Sequence, residues 1–531
     1  MPSITVDGKT IPAKPGQMII QACHDAGIAV PHYCYHPGLS IVASCRICLV
    51  EVEGIPKLVP ACQTPIRDGM VVRVTSSKAI ANQKQVMEYL LVNHPLDCPV
   101  CDQAGECLLQ DYSYQYGRAQ SRFEEDKHKK PKKEIGLHVL LYNDRCIMCT
   151  RCVRFTREVS GNSELMVQGR GHKEEIDIFP GKPLDNKLSG NVVDLCPVGA
   201  LLDKDFLFQQ RVWLLKSTPS ISPADAGGEN IYLHWNEGRI YRIKPRYNAE
   251  VNKWWISDDT RYSYKPVHAD NRLLQPVMKV MGAPSRVSFN EAADHADASL
   301  RKIVKEQGQG SLYAVLSPMM ACEEAYLLGK YIRGLDPGAL LVMGPVPRSE
   351  DEVFRHYLSG NETFRIQGEK VPNRRGVERI MQALGGATAT WDDFVASPAK
   401  AGGWIVGGYL SSWATVRGEL PDVLREGFRV VQDTLSNELV ERADVVLPSA
   451  FWVEKSGCWE NFAGKLQAFE KAIDPPGQAR AEGDVYVRLL GRRGKYVAQD
   501  IRNELGEPFA SVTVPLPEHE APAPAVEFAE L

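Results

Sequence analysis

Twelve of the 14 cysteines lie before residue 200, and only Cys322 and Cys458 come later. That asymmetry constrains the chain more than any other feature. A secreted disulfide protein is short and cysteine-dense throughout. This chain has 531 residues, enough for several domains, and its thiols are confined to one part of it. Clustered Cys-x-x-Cys spacings in such a chain point to metal binding. The thiol-poor remainder must then be held by an ordinary core, which the 44% apolar and 24% charged composition allows. The first ten residues lack the basic start and apolar stretch of a signal peptide. No uncharged apolar run approaches the roughly 18 residues of a spanning helix. The expectation is a chain without a direct membrane span that stays in the compartment where it is made. A formal charge of -4 argues against a nucleic-acid binder relying on bulk positive charge.

Local patterns predict short elements at the start of the chain. Ile4-Thr-Val6, the turn Asp7-Gly8 and Lys9-Thr-Ile11 read as a hairpin. Residues 18–26 read as a helix ended by Gly27. A second hairpin pairs 49–52 with 57–61, and 71–74 reads as another strand. Residues 79–92 carry the apolar spacing of a helix that delivers His94. The charged run 124–133 reads as a solvated linker between two cysteine groups. From about residue 272, helical patterns alternate with apolar strands at 312–316, 340–343, 404–406, 430–431 and 445–447, the signature of a parallel α/β sheet. The Pro-, Ala- and Glu-rich tail from Val514 reads as disordered.

Three constellations carry the chemistry. The first is Cys34-x10-Cys45-x2-Cys48-x13-Cys62. Four soft thiolates suit a [2Fe-2S] cluster, and the small residues Ala43 and Ser44 leave backbone N–H groups free to face sulfur. The alternative is a structural zinc site, which more often uses two Cys-x-x-Cys pairs. The second is His94-x3-Cys98-x2-Cys101-x5-Cys107. Three thiolates and an imidazole can hold a [4Fe-4S] cluster, and one negative charge fewer should raise its potential. The third is Cys146-x2-Cys149-x2-Cys152, the ferredoxin run for a [4Fe-4S] cluster. No second such run exists, so Cys196, followed by Pro197, must close the same set. Arg145, Arg151 and Arg154 flank the third set; they stabilise an anionic cluster or else form surface ion pairs. Cys23, on the apolar side of the first helix, reads as a packed core thiol. Cys322 and Cys458 are weak candidates for a metal or cofactor contact. The glycines of Gly402-Gly-Trp-Ile-Val-Gly-Gly408 read as packing or turn glycines.

In this order the three sets resemble the 75-kDa-type iron-sulfur subunits of respiratory complex I. The stretches Asn143-Asp-Arg-Cys-Ile-Met-Cys-Thr-Arg-Cys-Val-Arg-Phe155 and Asn191-Val-Val-Asp-Leu-Cys-Pro-Val-Gly-Ala-Leu201 carry the likeness over roughly residues 1–270. Ala443-Asp-Val-Val-Leu-Pro448 and Glu454-Lys-Ser-Gly-Cys-Trp-Glu-Asn461 are similar to the molybdopterin oxidoreductase family to about 480. The resemblance implies an α+β and α/β multidomain chain. It would comprise a β-grasp ferredoxin domain of plant type (1–77), a one-His/three-Cys [4Fe-4S] domain (78–117) and a four-cysteine [4Fe-4S] domain (118–215). A cluster-less 4Fe-4S-like domain (216–272), a shortened molybdopterin-oxidoreductase-like domain (273–512) and the tail (513–531) would follow. The first cysteine gap is ten residues, not the four of the simple ferredoxin pattern.

The implied function is electron relay, not catalysis on this chain. Electrons would enter from a flavin subunit that oxidises NADH, with its small [2Fe-2S] partner. They would pass the [2Fe-2S], the all-cysteine and the His94-ligated cluster, and leave to quinone-proximal iron-sulfur subunits. No flavin or nicotinamide site, molybdenum or pterin is expected on this chain. The expected location is peripheral, on the cytoplasmic side of the bacterial inner membrane. Some relatives hold a further [4Fe-4S] cluster after about residue 216, but the matching positions are Ser222, Asp225, Glu229 and Ser257, so none is expected here. The alternative is a relay subunit of a soluble NAD-linked hydrogenase or formate dehydrogenase.

Overall fold

A computed structural model describes residues 2–411 and 420–514. The expected tail from 515 onward lies outside the described residues. The chain divides into two compact units. The first comprises residues 1–215 with the short segment 353–364, and the second comprises 216–352 and 365–514 of the described residues.

The first unit is built from short strands. β1 (Ser3–Val6) and β2 (Lys9–Pro12) form the expected hairpin, with Asp7 and Gly8 both at positive φ. α1 (Ile19–Asp25) follows, ended near Gly27 at φ 71°. β3 (Leu49–Val52), β4 (Val59–Pro60) and β5 (Met70–Arg73) complete a five-stranded mixed sheet of order β2-β1-β5-β3-β4. Ile4, Val6, Val50, Val52 and Val72 bury the face that α1 covers with Ile19, Ile20 and Cys23. The Cys23 thiol is fully buried and pushed up to about 12, by desolvation first and then by Asp7, so it is the inert core thiol expected. α2 (Ser77–Leu91) is capped by Ser76, whose hydroxyl accepts from Ala79 N–H. α3 (Leu108–Tyr116) packs beside it.

The charged run 124–133 is solvent-exposed for much of its length, yet it is not a free linker. Lys127 Nζ donates to the carbonyls of Leu91 and Val92 at 2.8 and 2.9 Å, satisfying orphan groups at the end of α2. Its last residues already belong to β6 (Lys132–Glu134), which pairs with β7 (Val139–Tyr142). α4 (Arg151–Glu158), the hairpin β8 (Leu165–Gln168) and β9 (Glu175–Ile178), α5 (Asn191–Leu195) and β10 (Leu201–Asp203) follow. β10 closes a three-stranded sheet on β7.

The second unit opens with an antiparallel sheet of β11 (Lys216–Ile221), β12 (Asn230–Asn236) and β13 (Arg239–Pro245). Beyond it lies an eight-stranded sheet. β14 (Val277–Val280) and β15 (Ala283–Arg286) form its antiparallel edge. β16 (Leu312–Leu316), β17 (Leu340–Met343), β20 (Thr388–Ala389), β21 (Gly402–Val406), β22 (Phe428–Asp433) and β23 (Val445–Pro448) run parallel; in sequence, the hairpin β18 (Glu352–Arg355) and β19 (Glu362–Ile366), most of which belongs to the first unit, falls between β17 and β20. Their spatial order β20-β17-β16-β21-β22-β23 is that of a doubly wound sheet, as the strand-helix alternation predicts. Strands buried on both faces read as continuous apolar runs, which is why 312–316 and 404–406 were legible, although the second strand begins two residues earlier at Gly402. Gly403 is a packing glycine: a Cβ there would lie 2.0 Å from the Tyr313 ring. Among the described residues no helix is long and apolar enough to cross a membrane.

Candidate functional site

All twelve residues singled out by spacing fall in the first unit, and the fold gathers them as three sets. Cys45 and Cys48 sit at the entrance to β3, in a loop where Ala43 and Arg46 take φ values of 50° and 60°. Cys34 lies before that loop and Cys62 follows β4. The Cys34 thiol faces those of Cys45 and Cys62, and Cys48 also faces Cys62. Those contacts pull Cys34 below the ordinary thiol range and push Cys62 above it. The N–H of Cys45 and the hydroxyl of Ser44 also donate to Cys34, the arrangement that a thiolate ligand needs.

His94, Cys98, Cys101 and Cys107 line one cavity with Asp97, Arg145 and Gly199. α2 delivers His94, whose N–H closes onto Leu91 O at 3.2 Å. Burial first, then Arg145 and Lys127, hold the imidazole down at about 4, so it is neutral and free to bind through nitrogen. Cys107 is the N-cap of α3, where the N–H groups of Leu109 and Gln110 face its sulfur. Cys98 is exposed, whereas Cys101 and Cys107 are buried.

Cys146, Cys149, Cys152 and Cys196 line a second cavity, walled by Leu141, Ile147, Ile176, Val198 and Leu201. Met148 and Thr150 adopt left-handed φ values of 52° and 59°, which lets the three-cysteine run coil before α4 begins. α5 ends at Cys196, whose sulfur faces the N–H groups of Val198, Ala200 and Leu201. The donor chemistry of all three sets fits iron-sulfur clusters, with soft sulfur ligands and backbone donors aimed at sulfur, and the third set adds apolar walls. Among the described residues no three His, Cys, Asp or Glu side chains close on one point as a single ion requires.

The sets are joined, which spacing alone did not show. Gly199, in the loop that presents Cys196, comes so close to the second set that a Cβ would lie 2.2 Å from Cys101 Sγ. Arg145 precedes Cys146 but serves the cavity of the His94 set, bonding Asp97 at 2.7 Å and stacking 4.1 Å over Tyr142. Arg151 and Arg154 reach the first set, donating to the carbonyls of Tyr35 and Cys34. All three guanidinium residues are buried, at 3%, 6% and 8% exposure; Arg145 is ion-paired, to the partly exposed Asp97, whereas Arg151 and Arg154 donate to backbone carbonyls and make no surface ion pair. Cysteines of all three sets also share one apolar cluster with Tyr33, Met87, Leu109 and Tyr112.

The remaining positions lie in the second unit. Ser222, Asp225, Glu229 and Ser257 are all buried, as is Thr260. Ser222 Oγ lies 2.7 Å from Thr260 Oγ1, and Ser257 N–H donates to the Glu229 carboxylate at 3.2 Å. Burial, then Asp225, raises the Glu229 carboxyl to about 8. An oxygen network thus occupies these positions. Cys322 and Cys458 are buried together, with Cys322 Sγ 3.5 Å from Asn373 and Cys458 N–H donating to Glu323 at 3.0 Å. Beside them lies a buried ionic cluster that the sequence did not signal. Lys455 pairs with Glu324 at 2.9 Å and Glu482 at 2.5 Å, and Arg502 pairs with Glu323 at 2.6 Å.

Known proteins share the domains in which these sets lie. Residues 2–77 match the family described as 2Fe-2S iron-sulfur cluster binding domain. Residues 83–122 match NADH-ubiquinone oxidoreductase-G iron-sulfur binding region, and 136–202 match NADH-quinone oxidoreductase subunit 3, ferredoxin-like domain. Residues 215–265 match NADH-ubiquinone oxidoreductase NDSU1/NuoG-like, 4Fe-4S domain, and 420–492 match molybdopterin oxidoreductase. The mixed α/β architecture expected from the sequence therefore stands at the level of ferredoxin-type, 4Fe-4S-type and molybdopterin-oxidoreductase-type domains.

The chain is 31% identical to the G subunit of NADH-quinone oxidoreductase from Rickettsia bellii, over 91% of this chain and 85% of that one. It is 40% identical to the NADH-ubiquinone oxidoreductase 75 kDa subunit of Reclinomonas americana, over 69% and 52% respectively. Against the mitochondrial NADH-ubiquinone oxidoreductase 78 kDa subunit of Neurospora crassa the identity is 31%, over 90% and 79%. A solved NAD+-reducing [NiFe]-hydrogenase chain shares 30% identity at a TM-score of 0.37, covering 40% of this chain and 91% of that one.

Proposed function

The chain belongs to the family of NADH-quinone oxidoreductase iron-sulfur subunits of the 75-kDa type, and from that premise we propose that it is the electron-relay subunit of a proton-pumping NADH:quinone oxidoreductase. It holds no catalytic acid, base or nucleophile in this reading; its task is to place and tune redox centres. The observation that carries the reading is the single apolar cluster that holds cysteines of all three sets.

Cys34, Cys45, Cys48 and Cys62 would hold a [2Fe-2S] cluster in a β-grasp sheet. His94, Cys98, Cys101 and Cys107 would hold one [4Fe-4S] cluster, and Cys146, Cys149, Cys152 and Cys196 another. Bound there, such clusters supply one-electron carriers whose potentials follow ligand charge, hydrogen bonds to sulfur and burial. The chain's own residues set those terms. The third set lies between the other two in the contacts made, through Arg151 and Arg154 to the first and through Gly199 and Arg145 to the second. That adjacency supports a path from the first set through the third to the second. The cavity of the third set is walled by apolar side chains and Cys149, Cys152 and Cys34 are buried, which keeps water from the sulfurs. Cys98, by contrast, is exposed and marks the accessible edge of the second set.

The partners follow: a flavin subunit that oxidises NADH with its small [2Fe-2S] partner, and quinone-proximal iron-sulfur subunits, on the cytoplasmic face of a bacterial inner membrane. Residues 216–272 would carry no cluster, because they contain no cysteine and oxygens stand at the matching positions. The domain over 273–512 is a cap without molybdenum or pterin. Its sheet would take a ligand outside the carboxyl ends of β16 and β21. There the buried side chains of Met319, Trp452, Lys455 and Trp459 crowd the crevice.

Affinity purification in gentle detergent from the native host tests the reading. Recovery with membrane subunits and NADH-quinone activity is expected. Recovery in a soluble assembly with a hydrogenase or formate-oxidising subunit would keep the three sets and change the reaction they serve.

A further inference from the structure

α4 begins inside the third set, yet its side chains reach out of it. Arg154 donates through Nη2 to the carbonyls of Cys34 at 2.5 Å and Cys149 at 3.3 Å, and through Nη1 to the carbonyl of Ser40 at 2.5 Å. One turn further on, the Glu158 carboxylate accepts from Ser40 N–H at 2.8 Å and from the Ser40 hydroxyl. Arg151 donates to Tyr35 O at 2.6 Å and Leu195 O at 3.2 Å. A single helix thus grips the backbone of 34–40, the segment that presents the first ligand of the first set. The grip is made of charged donors on carbonyl acceptors, in the planar fork geometry that only arginine supplies.

Charge makes the grip unusual. Burying a guanidinium without a partner anion is costly, so buried cations are normally paired. Among the described residues neither Arg151 nor Arg154 has a carboxylate within ion-pair distance, although both are more than nine-tenths buried and their Nε atoms lack hydrogen-bond partners. Glu158 is held on the far side of Ser40, beyond ion-pair distance, and the ionisable sulfurs that interact with the two guanidinium groups are those of the third set, Cys149 and Cys196, with Cys34 of the first joined through its carbonyl.

We propose that Arg154, supported by Arg151, is the positioning residue at the joint between the first and third sets, fixing their spacing through the carbonyls of Cys34 and Cys149 and acting as a counter-charge shared by both. The proposal rests on the relay reading above and adds the element that sets the first internal transfer. A shared counter-charge ties the two potentials together: neutralising the arginine makes both sets harder to reduce. The second set has its own arginine, Arg145, already paired with Asp97, and stands outside this joint.

The test uses the full chain purified with its iron, as wild type, Arg154→Gln and Arg154→Lys, with iron and acid-labile sulfide measured first. Paramagnetic resonance during a redox titration then reports each set separately. In Arg154→Gln the reduction equilibrium of both the two-iron and the all-cysteine signals should fall about tenfold or more, 59 mV for one electron. The His94-set signal should move by less than about threefold. Arg154→Lys keeps the charge and loses the fork. Its midpoints should return to within about threefold of wild type, while the magnetic interaction between first and third signals changes. A shift confined to one signal, or none, overturns the shared joint. Should Arg154→Gln fail to load iron, the Lys variant decides: unchanged line shapes in a loaded protein overturn the positioning role. A wild-type chain without these signals would sink the relay reading itself, a result distinct from either.

Discussion

The two units reach a folded state by different routes. The second unit contains a doubly wound sheet whose central strands β16 and β21 are buried on both faces, with helices of 19 and 14 residues at Phe289–Gln307 and Cys322–Leu335. Its core of Leu312, Leu316, Trp404, Val430 and Tyr486 needs nothing but itself. The first unit has sheets whose strands are no longer than four residues, and cysteines occupy its interior. The second unit has strands as short, at 340–343 and 445–448, but apolar side chains alone fill the space around them, and burial contributes roughly 25 cal/mol per Å². The thiols therefore sit where apolar side chains would otherwise provide the stabilisation. The lesson is that the first unit's fold and its cofactors are one thermodynamic object, whereas the second unit is an ordinary domain.

The sharpest way to break this comparison is to strip iron and sulfide from the full chain and follow amide hydrogen exchange. We expect protection across residues 30–62 and 94–200 to fall by orders of magnitude, while β16, β21 and β22 stay within about tenfold of the loaded protein. Equal losses in both units would contradict it. A smaller effect should appear for Lys455→Met, which leaves Glu324 and Glu482 buried without their cation. Breaking such a pair costs about 3–5 kcal/mol. Chemical denaturation should show that loss in the second unit, with the cluster spectra of the first unchanged.

Gly199→Ala acts on the other side of the comparison. Its Cβ would meet Cys101 Sγ at 2.2 Å. Overpacking of this kind costs about 1–3 kcal/mol. The His94-set signal should be lost or broadened while the two-iron signal persists; an intact second set would show that the Cys196 loop yields freely. The smallest effect concerns pH. Burial, then Asp225, lifts the Glu229 carboxyl from 4.5 to about 8, so the folded state favours its protonated form. Its contribution is therefore complete below about pH 4.5 and is lost as pH rises through about 8. Thermal melts of wild type and Glu229→Gln should diverge over that window, with the wild type losing more stability. Parallel curves would place the proton elsewhere.

What the sequence made legible was local. The Cys-x2-Cys-x2-Cys run, the hairpin at Asp7-Gly8 and the apolar strands at 312–316 and 404–406 are patterns within a few residues of themselves. The parallel sheet was legible as an alternation, but its strand order was not, because order is set by crossovers that leave no mark on any one strand. The joints between the sets were invisible for the same reason. Arg154 meets Cys34, and Gly199 meets Cys101, across long stretches of intervening chain. The charged run 124–133 misled in part, since composition marks it as solvated while Lys127 closes the end of α2 and Lys132 starts a strand. The ionic cluster around Lys455 left no sequence signal because its acidic and basic partners lie far apart along the chain.

The central claim is that the three sets work as one relay, and rapid freeze-quench of the intact complex after mixing with NADH tests it most directly. One two-iron and two four-iron signals from this chain are expected, all reduced within a turnover, with loss of reduction in the His94 set when Cys149→Ser interrupts the third. Reduction of the His94 set at an undiminished rate in that variant would contradict it.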